Sequence, residues 1–586
     1  MGYELTDEQQ AIVSSDARNL LITAFAGTGK TSTLVEYAKA RPRERMTYLA
    51  FNRAIKEDAA RKFPSNVRCV TTHGLAFPSF GQTYKEKLGN PKPYHLTQRL
   101  SVTMSLAGLA LGALNNWLVS ADPQMTEHHV RRGSPVPVGE HDIAPAIDTA
   151  RRAWAAMQDI ADHTMPMPHD GYLKLYQLSG KKISTDRILF DECQDSNPVT
   201  QGIVAAQACG KVYVGDSRQA IYGFRGATNT MRHIQADARL HLTHSFRFGQ
   251  GVADIANEVL GAYEEHPFPI HGKGVHQTVF GVDRNAPHTL LSRTNAMLFV
   301  ESVNALNRKV PFGFVGGVEN YKFDIILDAY YLKTQQPGMV RDRFIQSFPA
   351  FSEMEAYAEG LDDKELKFLV RIIKDYGSDV PVLVTRIRNE AVVTPTGNEV
   401  LLTTGHKAKG LEWMNVVLSE DFTDMRAEYD AESKADVPPP REEVNLLYVA
   451  MTRAMKGLAV HTPLVDWLTG ESPDIARRIS RDTDVVATAA AAEQRSRQAT
   501  ATSSVPERRK DTPPPPSTSG MRQGQAWTEG EEANVIALWK FSKLDAHTIA
   551  GQIKRTPGAV IARLSKTLSR PSEEIELEND RRRGSR

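Results

Sequence analysis

Cysteine is scarce in this sequence, and neither sign of charge is in excess. The chain has 586 residues and three cysteines, Cys69, Cys193 and Cys209, which form no C-x-x-C pair and have no histidine at metal-binding spacing. This pattern argues against a disulfide framework and a zinc site, and it favours a reducing compartment. Lys and Arg number 71 against 70 Asp and Glu, so any polyanion would have to be bound by a local basic surface.

Long apolar runs are also missing. The most apolar long segment, from Val102 to Leu114, contains Thr103 and Ser105 and falls short of the roughly 18 residues that indicate a membrane span. The opening residues, MGYELTDEQQ, have neither the basic nor the apolar region of a signal peptide. The sequence therefore predicts no membrane partner.

The sequence does contain an alternation of short β-rich runs and helical patterns from Met1 to about Asp484. Strand-like runs include RMTYLAF, DRILFDE, KVYVGD, HTLLSR and MNVVLSE. A chain of this length needs more than one core, and about three to five domains are expected. The alternation is typical of α/β domains, in which helices flank parallel sheets.

The composition changes after Asp484. Residues 485–525 are rich in Ala, Ser, Thr and Pro, which predicts a flexible linker. Order resumes over 526–570, with Thr528 and Asp545 as candidate helix caps and a helix start near Pro557. This spacing predicts a three-helix unit of the helix-turn-helix type, followed by a disordered basic tail at 571–586.

A candidate phosphate-binding loop lies near the amino end. The stretch AFAGTGKT, from Ala24 to Thr31, follows the apolar run NLLIT and precedes a helix-compatible segment, and backbone amides of such a loop point at anionic oxygens. Lys30 would reach the β- and γ-phosphates, and the Thr31 hydroxyl would bind Mg²⁺. Ala24 stands where the strict pattern has glycine, so an ordinary glycine turn before a helix is the alternative at this point.

A pair of carboxylates follows another apolar strand, in the run RILFDECQDSNP. Asp191 can bind the Mg²⁺ of a nucleotide and Glu192 can orient or deprotonate the attacking water, which are the two roles that ATP hydrolysis requires. By itself, an Asp-Glu pair after a strand is more often a solvated strand end. The further runs VYVGDSRQAIYGFRGA, LTHSFRF, TTGHKAKGLEW and NLLYVAMTRA decide between these interpretations.

With these motifs in order from residue 5 to about 460, the chain resembles the UvrD/Rep family of superfamily 1 DNA helicases. AFAGTGKTSTL, FPSNV, HDGYLKLYQLS and SFRFG are similar to the helicase core of the F-box DNA helicase branch. The resemblance implies an α/β fold with two RecA-like domains that face each other across an ATP site, each with a mainly helical insertion. The implied ranges are 1–82 with 184–238 for the first domain, 83–183 for its insertion, 239–319 with 399–484 for the second domain, and 320–398 for its short insertion.

The resemblance also assigns roles around the adenosine of ATP. Gln9 would read the adenine edge, Phe246 would stack on adenine, and Glu412 would contact the ribose. Considered without the flanking motifs, Gln9 would be an ordinary helix surface residue.

Around the phosphates, Arg247 and Arg453 resemble two arginine fingers that neutralise charge on the γ-phosphate. Gln219 resembles the residue that senses this phosphate and couples it to the DNA site. The remaining positions are those of the phosphate loop and the carboxylate pair: Ala26, Gly27, Thr28, Gly29, Lys30, Thr31 and Ser32, with Asp191 and Glu192. ATP and Mg²⁺ are the implied cofactors, with Thr31 and Asp191 as the Mg²⁺ ligands.

A second group of matched positions belongs to the family's single-stranded DNA track: Phe51, Asn52, Thr72, His73, Tyr222, Phe224, Arg225 and His406. Aromatic platforms beside polar backbone contacts suit sequence-tolerant binding of a single strand. Phe224 stands where the family most often has tryptophan. Without the flanking motifs, core packing is the alternative for Phe51 and Phe224.

The three-helix unit at 526–570 resembles Myb-like domains. Basic residues lie on or near its third helix, as binding in a DNA groove requires: Lys554, Arg555, Arg563 and Lys566. A protein-docking module is the alternative. The expected partners are therefore single-stranded DNA and junctions of single and double strands, with a protein or duplex DNA at the carboxyl-terminal unit, in a cytoplasmic, nucleoid-associated protein.

The leading hypothesis is an ATP-dependent DNA helicase that moves 3′ to 5′ and acts in repair or recombination. An alternative of another class is a translocating ATPase that works only with a partner in a defence or mobile-element complex. A DNA-binding regulator with a vestigial ATPase is disfavoured, because no core catalytic position is lost. Strand separation by the purified chain would favour the first hypothesis, and partner-dependent ATPase activity the second.

Overall fold

The computed structural model describes residues 4–134, 137–223, 231–263, 268–360, 364–430, 435–503, 527, 535, 539, 545–553, 557–568 and 572–584. The chain divides into two compact units. Unit 1 comprises Met1–Phe246 with Phe268–His271, and unit 2 comprises Arg247–Pro267 with Gly272–Arg586.

Eight strands lie in unit 1 or at its boundary among the described residues: β1 Asn19–Ala24, β2 Met46–Ala50, β3 Val67–Thr71, β4 Arg187–Phe190, β5 Gly210–Gly215, β6 Ala238–Leu242, β7 His244–Ser245 and β8 His271–Gly272. The first six form one parallel sheet in the order β3-β2-β4-β5-β1-β6. Every residue of β2 and β5 is buried, as expected for parallel strands that are covered on both faces.

The helices of unit 1 are α1 Asp7–Val13, α2 Lys30–Lys39, α3 Arg53–Lys62, α4 Thr72–Ala76, α5 Pro93–Leu100, α6 Met104–Val119, α7 Glu127–Arg132, α8 Glu140–Gln158, α9 His169–Leu178 and α10 Pro198–Ala205. Alternate residues of β1 enter two different cores, because successive strand side chains point to opposite faces. Leu20 and Ile22 pack with residues of α1 to α3, whereas Leu21 packs in the core that includes the helices of the insertion.

Two buried lysines hold the insertion together at the ends of its longest helices. Lys87 Nζ donates to the carbonyls of Ala156, Asp159 and Asp162, at 3.2, 2.6 and 2.7 Å, where α8 ends. Lys174 Nζ donates to the carbonyls of Ser120 and Asp122, at 3.0 and 2.6 Å, where α6 ends. Burial lowers the pKa of Lys174 to about 8 against the opposing attraction of Asp122. The lysines thus donate to carbonyls at and just beyond the ends of these helices, where intrahelical donors run out.

The predicted boundary of the first domain at residue 238 is wrong. β6 pairs with β1, with Leu20 opposite Ala238 and Ala24 opposite Leu242, and unit 1 continues to Phe246. In β6 only Leu242 is buried, so this edge strand carries no strong local signal for the sheet that it joins. Its assignment depends on the backbone pairing with β1.

Unit 2 contains, in its described part, β9 Val279–Phe280, β10 Thr289–Ser292, β11 Phe312–Phe314, β12 Val400–Thr404, β13 Trp413–Leu418, β14 Glu428–Asp430, β15 Ala435–Val437 and β16 Ala454–Ala459. A parallel sheet has the order β11-β12-β10-β13-β16-β9, and β14 and β15 form an antiparallel pair. Both units therefore confirm the α/β prediction with parallel sheets.

The helices of unit 2 are α11 Gln250–Gly261, α12 Asn295–Arg308, α13 Asp324–Lys333, α14 Arg343–Gln346, α15 Phe351–Gly360, α16 Lys364–Tyr376, α17 Val380–Glu390, α18 Gly405–Ala408, α19 Arg441–Met451, α20 Thr462–Glu471, α21 Pro473–Ser503, α22 Ala546–Ile553, α23 Pro557–Leu568 and α24 Ser572–Gly584. The helices α13 to α17 lie between β11 and β12, within the predicted insertion at 320–398, and share one core with the sheet.

Two predictions for the carboxyl-terminal part are wrong. α21 extends to Ser503, so residues 485–503 are helical rather than linker, because the alanine-rich run favours a helix. Residues 572–584, predicted as a disordered tail, form α24, and Ile575 is buried in a core with Trp539 and Leu564. The predicted cap is present, since Asp545 accepts hydrogen bonds from the amides at 547 and 548. Lys554 and Arg555 lie outside the described residues.

Among the described residues, no single helix has the length and apolar composition to cross a membrane. One pair, Pro93–Leu100 with Met104–Val119, meets these criteria only in combination and is bent by 115°.

Candidate functional site

The candidate residues of unit 1 lie at one edge of its sheet. The phosphate loop follows β1, Phe51 follows β2, Thr72 follows β3, Asp191 follows β4 and Asp216 follows β5. The carboxyl ends of parallel strands meet at the same edge, which is where ligands bind in open α/β sheets. The fold thus brings the predicted phosphate loop and the predicted DNA contacts Phe51 and Thr72 to one side of one sheet.

The phosphate loop has the backbone geometry that its glycines predict. Gly27 and Gly29 have φ angles of 75° and 77°, a left-handed conformation that glycine adopts without a Cβ penalty. The buried hydroxyl of Thr28 donates to the carbonyl of Phe25 at 2.9 Å and fixes the turn. α2 then begins at Lys30, so the positive end of a helix faces the loop. Thr31 lies in its first turn, followed by the exposed Ser32.

Lys30 and the predicted carboxylates form one charge cluster. Lys30 Nζ lies 3.2 Å from Glu192 Oε1. Burial works to lower the pKa of Lys30, but the attraction of Glu192, Asp191 and Asp216 outweighs it and raises this pKa. The pKa of the Asp191 carboxyl is raised by burial and by the neighbouring charge of Glu192. Lys30 is therefore charged and Glu192 is positioned beside it.

The same cluster suits Mg²⁺. Three carboxylates, those of Asp191, Glu192 and the buried Asp216, face a single lysine, which leaves an excess of negative charge that a divalent cation would neutralise. In the described part of the chain, no group of three or more His, Cys, Asp or Glu side chains could hold a metal by itself. Mg²⁺ is commonly bound by one or two protein oxygens together with substrate phosphates, so Asp191 and Thr31 fit a metal that arrives with a nucleotide.

Both predicted adenine contacts belong to unit 1, and one of them, Phe246, lies beside the phosphate loop. The amide of Phe246 donates to the carbonyl of Gly27 at 2.9 Å, and its side chain is 40% exposed, so an aromatic face stands beside the loop. Gln9 is buried and forms a capping box at the start of α1, in which its side-chain oxygen accepts from the amide of Thr6 at 3.1 Å. The amide group of Gln9 is thereby held in one orientation.

A hydrogen-bonded network that the sequence did not predict surrounds the carboxylates. Tyr48 donates to Asp191 Oδ2 at 2.6 Å. Gln194 Nε2 donates to Glu192 Oε2 at 2.6 Å, and Gln194 Oε1 accepts from the amide of Asp216 at 3.1 Å. Gln219, the predicted phosphate sensor, donates from Nε2 to Asp216 Oδ2 at 2.8 Å. The only sequence signal for Gln194 is its place in the run DECQD.

Unit 2 brings together the three predicted nucleotide residues that it contains. Arg247 Nε donates to Glu412 Oε2 at 2.6 Å, and Arg247 Nη1 donates to the carbonyl of Thr452 at 3.3 Å. Arg453 is buried, and its guanidinium donates to the carbonyls of Val449 and Leu411 at 2.8 and 3.2 Å. Glu412 and Arg453 directly precede the neighbouring strands β13 and β16, which explains how distant motifs meet.

Two aromatic residues of the predicted DNA track stack on each other in unit 1. The ring centroids of Phe51 and Tyr222 are 5.7 Å apart with an interplanar angle of 13°, and Phe51 is 40% exposed. Core packing is therefore not the role of Phe51. Asn52 is exposed and caps α3 by accepting from the amide of Ile55 at 2.9 Å, so its side chain has a structural task as well.

The other predicted DNA contacts are distributed over both units. Thr72 and His73 begin α4, and His73 Nε2 lies 3.0 Å from Asp170 Oδ1 of α9. His406 lies in α18, directly after the carboxyl end of β12 in unit 2. Phe224 and Arg225 lie outside the described residues.

Comparisons with known proteins agree with this arrangement. Residues 344–462 match the UvrD-like helicase C-terminal domain, and residues 8–225 match an AAA domain. The first of these descriptions names a helicase domain, and its matched stretch lies in unit 2, whereas the AAA match lies in unit 1.

Two curated proteins are similar to this chain over more than three quarters of its length. The chain is 32% identical over 509 residues to F-box DNA helicase 1 of Gallus gallus, and the match covers 79% of this chain and 49% of that protein. It is 31% identical over 514 residues to F-box DNA helicase protein 1 of Schizosaccharomyces pombe, with 78% and 57% covered. The chain thus spans about half the length of these relatives. A solved structure, that of PRRSV helicase, matches 77% of this chain and 54% of that one at 11% identity with a TM-score of 0.29.

Proposed function

We propose that the chain is an ATP-driven DNA helicase that moves 3′ to 5′ along single-stranded DNA in repair or recombination. The observation that carries the proposal is the arrangement of unit 1, in which Lys30, Asp191 and Glu192 share one sheet edge with the stacked pair of Phe51 and Tyr222. A phosphate site and an aromatic platform on the same edge are what a motor driven by ATP needs.

In the proposed reaction, Lys30 and the amides of the phosphate loop bind the β- and γ-phosphates of ATP. Glu192 orients the attacking water and accepts its proton, and Mg²⁺, held by Thr31 and Asp191, would supply charge neutralisation at the phosphates. Phe246 would stack on adenine, beside Gln9. Arg247 and Arg453 are the proposed arginine fingers, with Glu412 at the ribose. Phe51, Tyr222 and His406 would then grip single-stranded DNA in alternation, as stacking on bases allows without sequence preference.

ATP turnover by the full chain, measured without nucleic acid, with single-stranded DNA and with RNA, tests the proposal. We expect strong stimulation by DNA. Partial duplexes with a 3′ or a 5′ single-stranded end test polarity, and unwinding is expected only from the 3′ end. Turnover that appears only after addition of a partner protein would instead favour the accessory ATPase.

Replacement of the catalytic carboxylate tests the assignment within the site. Glu192→Gln should lose ATP turnover by about 10²- to 10⁴-fold, since a general base is removed, while ATP still binds. Glu36→Gln is a matched control, because Glu36 lies on α2 in an exposed pair with Lys39. Unchanged turnover by Glu192→Gln would contradict the assignment of Glu192.

A further inference from the structure

The side chain of Gln194 bridges two parts of the site of unit 1. Its Nε2 donates to Glu192 Oε2 at 2.6 Å, and its Oε1 accepts from the amide of Asp216 at 3.1 Å. A carboxylate needs a donor and an amide N–H needs an acceptor, so these two partners fix the orientation of the glutamine amide. Gln194 is fully buried, which makes both hydrogen bonds costly to lose.

The backbone around Gln194 is shaped for this contact. Glu192 has a φ angle of 49°, a left-handed conformation that costs a non-glycine residue energy and persists only where its surroundings enforce it. Gly215, the last residue of β5, leaves no room for a side chain, since a Cβ there would overlap Gln194 Oε1 and approach Met231 Sδ and Cys193 Sγ to 2.9 and 3.0 Å. The space between β4 and β5 is therefore built to receive the amide of Gln194.

The second contact of Gln194 leads toward the DNA platform. Asp216 begins the segment 216–219, in which Gln219 Nε2 donates back to Asp216 Oδ2 at 2.8 Å. Three residues after Gln219, Tyr222 stacks on Phe51. A short segment with an internal hydrogen bond thus connects the aromatic pair with the backbone amide of Asp216, to which Gln194 is bound.

We propose that Gln194 is a positioning residue, which orients the carboxylate of Glu192 and makes this orientation respond to DNA on the Phe51–Tyr222 platform. The inference deepens the proposed function and rests on it. Gln194 touches neither ATP nor DNA in this scheme. It acts through Glu192, whose Oε2 it holds while Oε1 faces Lys30.

The test compares two buried glutamines in the full chain. Gln194→Leu keeps the volume and removes the hydrogen bonds to Glu192 and to the amide of Asp216, together with a longer one from Nε2 to Asp195 Oδ2 at 3.4 Å. Gln207→Leu is the matched control, because Gln207 is also buried in unit 1, accepts from the amide of Ile183 at 2.9 Å and donates to the carbonyl of Ile203 at 2.8 Å. ATP turnover is measured over a range of ATP concentrations with and without oligo(dT), together with thermal unfolding.

For Gln194→Leu we expect kcat with DNA to fall about ten- to a hundredfold, the range for a lost hydrogen bond to a charged group. The KM for ATP should stay within about threefold, since the phosphate loop is untouched, and the stimulation by DNA should largely disappear. Gln207→Leu should keep both kcat and stimulation. Equal losses in the two variants would mean that Gln194 is only structural and would overturn the inference. An inactive wild-type chain would instead refute the proposed function.

A second test perturbs the same contact from the side of Gly215, first alone and then together with a change of Gln194. Gly215→Ala should reproduce the loss of DNA stimulation, because the added methyl group displaces the glutamine amide. The double variant Gly215→Ala, Gln194→Ala should be no worse than Gln194→Ala alone, since coupled residues are not additive. Retention of full DNA stimulation in Gly215→Ala, or strictly additive losses, would count against the proposal.

Discussion

Loss of the Phe51 ring should weaken single-stranded DNA binding and leave ATP binding intact. Phe51 is 40% exposed, and its ring lies 5.7 Å from that of Tyr222 between centroids, with an interplanar angle of 13°. One face of the Phe51 ring thus packs on Tyr222, and part of the ring is left exposed to solvent. A base stacked on such a platform contributes about 1–3 kcal/mol. Phe51→Ala should therefore raise the Kd for oligo(dT) by about 5- to 150-fold.

The assay is fluorescence anisotropy of labelled oligo(dT) at several salt concentrations, combined with the KM for ATP. Stacking neutralises no phosphate, so the slope of log Kd against log salt should stay the same. Phe268→Ala is the matched control, because Phe268 is 41% exposed and stacks at 3.8 Å on His241 of β6, which is separated in the sheet from β2, the strand before Phe51, by β4, β5 and β1. Equal weakening by both substitutions, or no change with Phe51→Ala, would refute the reasoning.

Three further predictions concern the metal, the phosphate loop and the insertion. Tyr48→Phe should raise the Mg²⁺ concentration for half-maximal ATP turnover by about tenfold or more, because Tyr48 donates to the proposed metal ligand Asp191. Tyr37→Phe is the control and should not change this concentration, since it removes a buried hydroxyl that has no hydrogen-bond partner among the described residues. Gly29→Ala should raise the KM for ATP and lower thermal stability, since alanine at a φ of 77° costs about 1–2 kcal/mol. Gly180→Ala, at a φ of 64° in open space, should lower stability alone. The pKa of Lys174 is about 8 in the folded chain, against an ordinary value of 10.5, so the unfolded chain binds more protons between pH 8 and 10.5. The free energy of unfolding of the wild type, relative to that of Lys174→Met, should therefore rise over this pH range, and urea titrations measure it.

The candidate phosphate loop of unit 1 was largely predictable because its determinants are local in the chain. AFAGTGKT encodes strand, turn and helix within one segment, and the left-handed Gly27 and Gly29 follow from residue type. The five quoted strand-like runs all overlap strands of the two parallel sheets. The predicted start of α23 at Pro557 is likewise a local signal.

Predictions failed where packing between distant segments decides the structure. β6 joins the first sheet through its pairing with β1, more than two hundred residues earlier in the chain. Residues 572–584 are ordered by the burial of Ile575 against Trp539 and Leu564. The alanine-rich run in α21 was also predicted wrongly as part of a linker. Alanine is common in both linkers and helices, so composition alone does not distinguish them, although alanine has the highest helix propensity.

By itself, the sequence determined which residues can bind phosphate, activate water and stack on bases, since these properties belong to side-chain chemistry and short-range backbone preference. Only the tertiary structure decided which of them share a site. Parallel pairing of β1, β4 and β5 brings Lys30, Glu192 and Asp216 to one edge of the sheet. Gly215 has no side chain, which leaves space for the Gln194 amide to contact both Glu192 and Asp216. Hydrogen bonds such as these form between strands that are adjacent in space and far apart in sequence, so no local pattern specifies them.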